Sequence, residues 1–162
     1  MTIAIRTLSA KARTAVRLGP RRQLLVMEAA LTMLAARIAL AIVPFGRLSR
    51  RFGRFVSPAD AGLDLDPGLR GMATPRETLA VRRVGWAVRT VSPNLPFRAV
   101  CLQQAIAAQA MLRRRGVASV MHFGIDAEGQ ALPQSHAWLS AAGIGVTGFP
   151  IGPNLVELGR FV

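Results

Sequence analysis

Apolar positions along the chain fall into three regimes. Residues 23–45, QLLVMEAALTMLAARIALAIVPF, are apolar on nearly every side, interrupted only by Glu28 and Arg37. At about 100° per residue these two charges fall on opposite sides of a helix, so no single face hides both. Each would cost about 2.5–3.5 kcal/mol at the centre of a bilayer. A helix buried in a core or facing a partner is therefore expected over a membrane span, and Pro44 should end it. A short basic segment follows, with Arg47, Arg50, Arg51 and Arg54. Pro58 and Pro67, with Gly62, Gly68 and Gly71, mark 56–73 as a linker. Its Asp60, Asp64 and Asp66 lack the rest of a calcium-loop pattern.

Helical periodicity returns at Thr74-Pro75-Arg76-Glu77, a capping box with proline in the first helical position. Ala80, Val81, Val84, Ala87, Val88 and Val91 then form one stripe, while Arg76, Arg82, Arg83 and Arg89 point mostly away from it. Ser92-Pro93-Asn94-Leu95-Pro96 ends this helix. A third helix is expected from about Ala99 to Arg115, buried through Leu102, Ala105, Ile106, Ala108 and Leu112. Arg113, Arg114 and Arg115 suit the negative end of its dipole, and Gly116 suits the position after it.

After Gly116 the pattern becomes strand-like. VASVMHFGI (117–125), HAWLSAA (136–142) and IGVTGF (144–149) predict an antiparallel meander. The loop DAEGQALPQS separates the first two strands, and Gly143 turns the last two. The tail, 151–162, is expected to pack back as an irregular segment. The fold class is thus α+β: a helical N-terminal half, then a cysteine-bearing helix packed on a small antiparallel sheet. Residues 1–22 form a basic N-terminal segment, and 23–162 a single domain with a helical part (23–95), a catalytic part (96–150) and the tail.

Charge adds a second possibility for function. The 162 residues carry a net charge of +13, with Lys11 the only lysine among 21 basic residues. Such a balance suits nucleic acid, anionic lipid or an acidic polypeptide. A non-catalytic basic helical binding or scaffold protein, on nucleic acid or an anionic membrane, is the rival reading. RRFGRF (50–55) interleaves arginine and aromatic residues, but no recognised nucleic-acid motif is present.

The single cysteine excludes an internal disulfide and any zinc site built on several cysteines. No metal or cofactor is expected. A lone cysteine is most often a small buried apolar residue. Cys101, however, falls in the first turn of a predicted helix, where unpaired N–H groups and the dipole favour negative charge. Arg98 adds positive potential. A thiol there needs a histidine as base and then acid. His136, heading a strand of the neighbouring sheet, is the candidate. Trp138 shares its face. His122 shares a face with Val120 and is assigned a structural role.

CLQQAIAAQAMLRRRG, a strand ending HFGI, and SHAWL together resemble the transglutaminase-like cysteine peptidases that remove leaders in lasso-peptide biosynthesis. LAIVPFGRLSRRFG and SPNLPFRAVCL extend the resemblance over roughly residues 22–160. It implies a transglutaminase/papain-like core in which Cys101 attacks a peptide carbonyl at the leader–core junction of a ribosomally made precursor. His136 serves as base and then acid. It further implies a separate leader-recognition protein and an ATP-dependent lasso cyclase as partners, no nucleic acid, and a bacterial cytoplasmic location, with membrane contact a secondary expectation. Only about twenty residues precede the first long helix, too few for a fused leader-recognition domain. The family places an acid, usually Asp, on the strand after the histidine. IGVTGF has none. Asp126, Glu128, Glu157 or a backbone carbonyl are the candidates to orient His136, with Asp126 and Glu157 first among the acids. The Cys101 N–H, with Gln103 or Gln104, is the candidate oxyanion donor.

Overall fold

The computed structural model describes residues 19–60, 73–126 and 134–162. Most of the basic N-terminal segment, Asp64 and Asp66 of the linker, and Glu128 lie outside them. The elements are α1 (Pro20–Ile42), α2 (Phe45–Ser49), β1 (Phe55–Val56), α3 (Pro75–Val91), α4 (Cys101–Arg113), β2 (Val120–Asp126), β3 (Gln134–Ala141), β4 (Ile144–Thr147) and β5 (Leu155–Phe161). Short 3-10 turns follow β1 and α3. The fold is α+β, with the sole cysteine at the first residue of a helix packed on a small antiparallel sheet.

Each helix begins and ends where local chemistry directs it. Thr74 Oγ1 accepts from the Glu77 N–H, and the Glu77 carboxylate accepts from the Thr74 N–H at 2.9 Å, so the expected capping box forms. The Thr74 bonds hold the Glu77 carboxyl below its ordinary range. Gly116, at φ +69°, lets the chain leave α4, and the Val117 N–H closes back on the Leu112 carbonyl at 3.1 Å.

One core joins helices and sheet. α1 contributes Ala29 and Met33, α3 Val84 and Val88, α4 Ala108 and Met111, and the sheet Met121, Leu139, Val146 and Phe161. The alanines of α4 let it lie close on β3 and β4, while α3 packs on β4. Arg89 is exposed as expected, yet its Nη1 also reaches the sheet, donating to the Val146 carbonyl at 2.8 Å. Gly85 faces the same carbonyl, 3.0 Å from where a Cβ would sit, so a side chain there would push β4 away from α3.

α1 is long and apolar enough, by length and composition, to cross a membrane. Its inner side nonetheless packs on α3 and α4, burying Ala29, Met33 and Ala36. Its outer side exposes Leu31, Ile38 and Ile42. Glu28 ties it to the end of α4: Arg114 Nη2 and Arg115 Nη2 donate to its carboxylate at 2.9 and 2.6 Å. The arginines expected to serve only the helix dipole therefore clamp two helices together. The Arg115 hydrogen bond, with smaller help from Arg114 and against partial burial, holds the Glu28 carboxyl below its usual 4.5. A carboxyl lowered on folding stabilises above its unfolded value and loses that effect as pH falls through the folded one. Glu28→Gln should therefore lower the melting temperature by about 2–4 °C at pH 7, since a partly exposed pair is worth about 1 kcal/mol at most. The gap to wild type should narrow as pH drops below about 4.5, and equal gaps at pH 7 and pH 3 would refute the assignment.

The sheet order is β1-β5-β2-β3-β4, antiparallel throughout. The predicted strands pair as a meander, Val120 with Ser140 and Leu139 with Thr147. The tail corrects the expectation: instead of an irregular segment it forms β5, inserted between β1 and β2. Gly159 permits this, because a Cβ there would run into the Phe55 ring. A register shift between Phe123 and Gly124 sets Glu157 opposite Gly124.

Candidate active site

The site is built from the start of α4, the start of β3 and the end of β4. Cys101 is the first residue of α4 and is half-buried. The residue before it, Val100, occupies the N-cap. Its side chain has no acceptor, so it engages none of the first N–H groups of the helix. The turn is held from elsewhere. Gln103 Oε1 accepts from the Val100 N–H at 3.3 Å, and Gln104 Nε2 donates to the Ala99 carbonyl at 3.0 Å. Arg37 of α1 lies over the Phe97 ring at 4.9 Å, fixing the approach to Cys101. Gln103 and Gln104, the two oxyanion candidates, are thus both bonded to the segment that leads into the helix. The N–H groups of the first turn, Cys101 among them, are left without intrahelical acceptors.

His136 is two residues beyond the described start of β3. Its Nε2 lies 2.8 Å from the Gly148 carbonyl, one residue past β4. A carbonyl oxygen only accepts, so Nε2 carries the proton and, in the neutral ring, Nδ1 holds the free lone pair. The bond therefore fixes both the tautomer and the ring orientation. The Trp138 ring stacks on the imidazole at 6.0 Å and 18°. Gly148 has φ +79°, and a Cβ there would meet the Ala137 carbonyl and Trp138 Cβ at 2.7 Å. Only glycine presents this carbonyl to the ring.

His122 is engaged elsewhere. Its Nδ1 lies 2.9 Å from Glu157 Oε1 and its Nε2 2.9 Å from Ser140 Oγ. It also stacks on Trp138, at 5.2 Å and 2°. Three rings, His122, Trp138 and His136, thus line one face of β2 and β3, while Leu139 and Ala141 alternate to the opposite face and enter the core. Glu157, one of the carboxylates proposed to orient His136, bonds His122 instead, because the register shift at Phe123 and Gly124 delivers it there. Asp126 closes β2 opposite Gln134 and Leu155. Cys101 and His136 share no hydrogen bond in this structure, and the alternation of β3 sets His136 on the face opposite Leu139 and Ala141, the side chains that join α4 in the core. Among the described residues no group of three His, Cys, Asp or Glu could hold a metal ion.

Glu157→Ala should accordingly act on stability, about 1–2 kcal/mol for leaving a buried imidazole nitrogen unpaired. Any turnover should stay within about threefold of wild type, since no reacting group is touched. A hundredfold loss of turnover with an unchanged melting temperature would instead place Glu157 in the catalytic machinery.

A match to known families now has a structural setting. The family model described as transglutaminase-like superfamily matches residues 39–155, which include Cys101, His136 and Gly148. The chain belongs to the transglutaminase-like superfamily. No curated protein and no solved structure matches it. Seen as a transglutaminase-like chain, its cysteine helix, histidine strand and following strand occur in the order the superfamily core needs. What departs from the expected pattern is the acid, whose place beside the histidine is taken by the Gly148 carbonyl. Sequence reasoning allowed for a carbonyl without naming its residue. The only available signal was Gly148 at the end of a strand lacking any acid.

Proposed function

We propose that this chain is a cysteine peptidase that removes the leader from a ribosomally made lasso-peptide precursor, before an ATP-dependent cyclase closes the ring. The observation that carries this reading is the bond from His136 Nε2 to the Gly148 carbonyl, which leaves Nδ1 as a base on a superfamily member with a single cysteine at a helix start. Cys101 loses its proton to Nδ1 and its sulfur adds to the scissile carbonyl. The first-turn N–H groups of α4, unoccupied by the Val100 side chain, receive the oxyanion. His136 returns the proton to the leaving amine, and water then releases the acyl group. Hydrogen bonds of such pairs often form only when substrate binds, and the reading requires the start of β3 and the start of α4 to bring Nδ1 to the thiol at that moment.

The partners follow from the reading: the precursor peptide, a separate leader-recognition protein and the cyclase, all in a bacterial cytoplasm. The exposed apolar side of α1 supports contact with a partner or a membrane surface. Mass spectrometry of a cognate precursor incubated with the chain, with and without the leader-recognition protein, is the deciding measurement. Appearance of the free leader and the intact core supports the reading. An uncut precursor with both proteins present refutes it.

A further inference from the structure

We infer that the groove between the first halves of α1 and α3, closed at one end by the last turn of α4, is a docking site for an acidic, partly apolar peptide segment of a protein partner. The groove encloses about 1350 Å³, larger than the roughly 300–1,000 Å³ of a small-molecule pocket. Seven arginines and two glutamates line it, leaving five positive charges in excess. Neither glutamate offsets the rest: Glu28 is held by Arg114 and Arg115, and Glu77 caps α3. Arg21, Arg76, Arg82 and Arg83 are exposed and, among the described residues, bonded to no carboxylate.

The floor gives the occupant its second property. Leu24 and Leu79 remain largely exposed within the groove, and Trp86 lies half-buried beneath the Arg22 guanidinium at 5.6 Å. Aromatic and arginine side chains together are the usual anchors of a protein–protein contact. Cationic walls around an apolar floor complement a segment that alternates carboxylates with leucine-like side chains. A recessed site gives a narrow peptide segment more contact than it gives the flat face of a bilayer.

Position decides what occupancy would do. The groove meets Arg114 and Arg115 just past the end of α4, whereas Cys101 is at the start of that helix. Thirteen residues separate these ends by about 20 Å. A bound segment therefore leaves the thiol open, and about six extended residues would bridge the two. The docking assignment builds on the peptidase reading only in supposing that the segment accompanies the substrate; binding itself does not require Cys101.

The test uses the full chain and a fluorescein-labelled peptide carrying Glu and Leu on one helical face, with its glutamine counterpart as control. Anisotropy should show the acidic peptide bound at least about tenfold more tightly, and Arg82→Glu with Arg83→Glu should cancel that preference. Arg50→Glu with Arg51→Glu, an equal charge change outside the groove, should leave affinity within about twofold. Circular dichroism should confirm that both double variants fold, and Trp86→Ala supplies a second groove variant that keeps the charge. Cys101→Ala should bind as wild type, so a failed cleavage assay and a failed docking site remain distinguishable. Equal loss in both double variants would reduce the effect to bulk charge and overturn the site. So would a groove-dependent preference for phosphatidylglycerol vesicles or duplex DNA over the peptide.

Discussion

Cys101→Ala is expected to reduce precursor cleavage by about 10⁴-fold or more, because no other thiol can take its place. The chain has one cysteine, so the substitution removes all thiol chemistry at once. It should cost little stability, since the side chain is only half-buried and makes no hydrogen bond among the described residues. Iodoacetamide should label the wild type once and the variant not at all. His136→Ala should give a loss of similar size with the thiol still present. The two losses should not add in the double variant, because base and nucleophile act in one step. Full cleavage by Cys101→Ala, in the presence of the leader-recognition protein, would end the nucleophile assignment.

How much of this could be read along the chain depends on which atoms carry the information. The capping box at Thr74, the valine stripe of α3 and the alanine-rich face of α4 were legible, because side-chain spacing alone writes them. The strand at His136 was legible for the same reason. β5 was not. Its alternation is inverted: Val156 and Leu158 face solvent, while Glu157 turns toward His122 and Gly159 enters the sheet. A strand with Val156 and Leu158 outside and a glutamate turned inward reads as a turn-rich tail. The partner of Glu157 was also out of reach, since a one-residue register shift chose His122. The clamp from Glu28 to Arg114 and Arg115 joins residues from distant parts of the chain, and a local reading assigned those arginines to the helix dipole. The Gly148 carbonyl was the hardest to see, because every residue has a carbonyl. Its selection rests on a positive φ and on the empty space a glycine leaves against β3.

Gly148→Ala is the second large effect expected. An added Cβ would press on the Ala137 carbonyl and on Trp138 Cβ, each 2.7 Å from its ideal position, at a backbone φ of +79° that disfavours any side chain. The end of β4 would have to move, and with it the carbonyl that holds His136 Nε2. A displacement near 1 Å at a catalytic group costs about 100-fold in rate, and the strained backbone costs about 1–3 kcal/mol of stability. Gly148→Asp would install the acid missing from this strand, yet it should fare no better than alanine, because its Cβ meets the same atoms before the carboxylate can reach the ring. The distinction from general destabilisation lies in a cycle with His136. In a His136→Ala background, Gly148→Ala should cause no further loss of residual cleavage, while still lowering the melting temperature. Independent losses would mean that the carbonyl stabilises the fold without orienting the base. A gain in rate from Gly148→Asp would mean that the strand can admit a carboxylate after all, and that the carbonyl is a poor substitute for the acid.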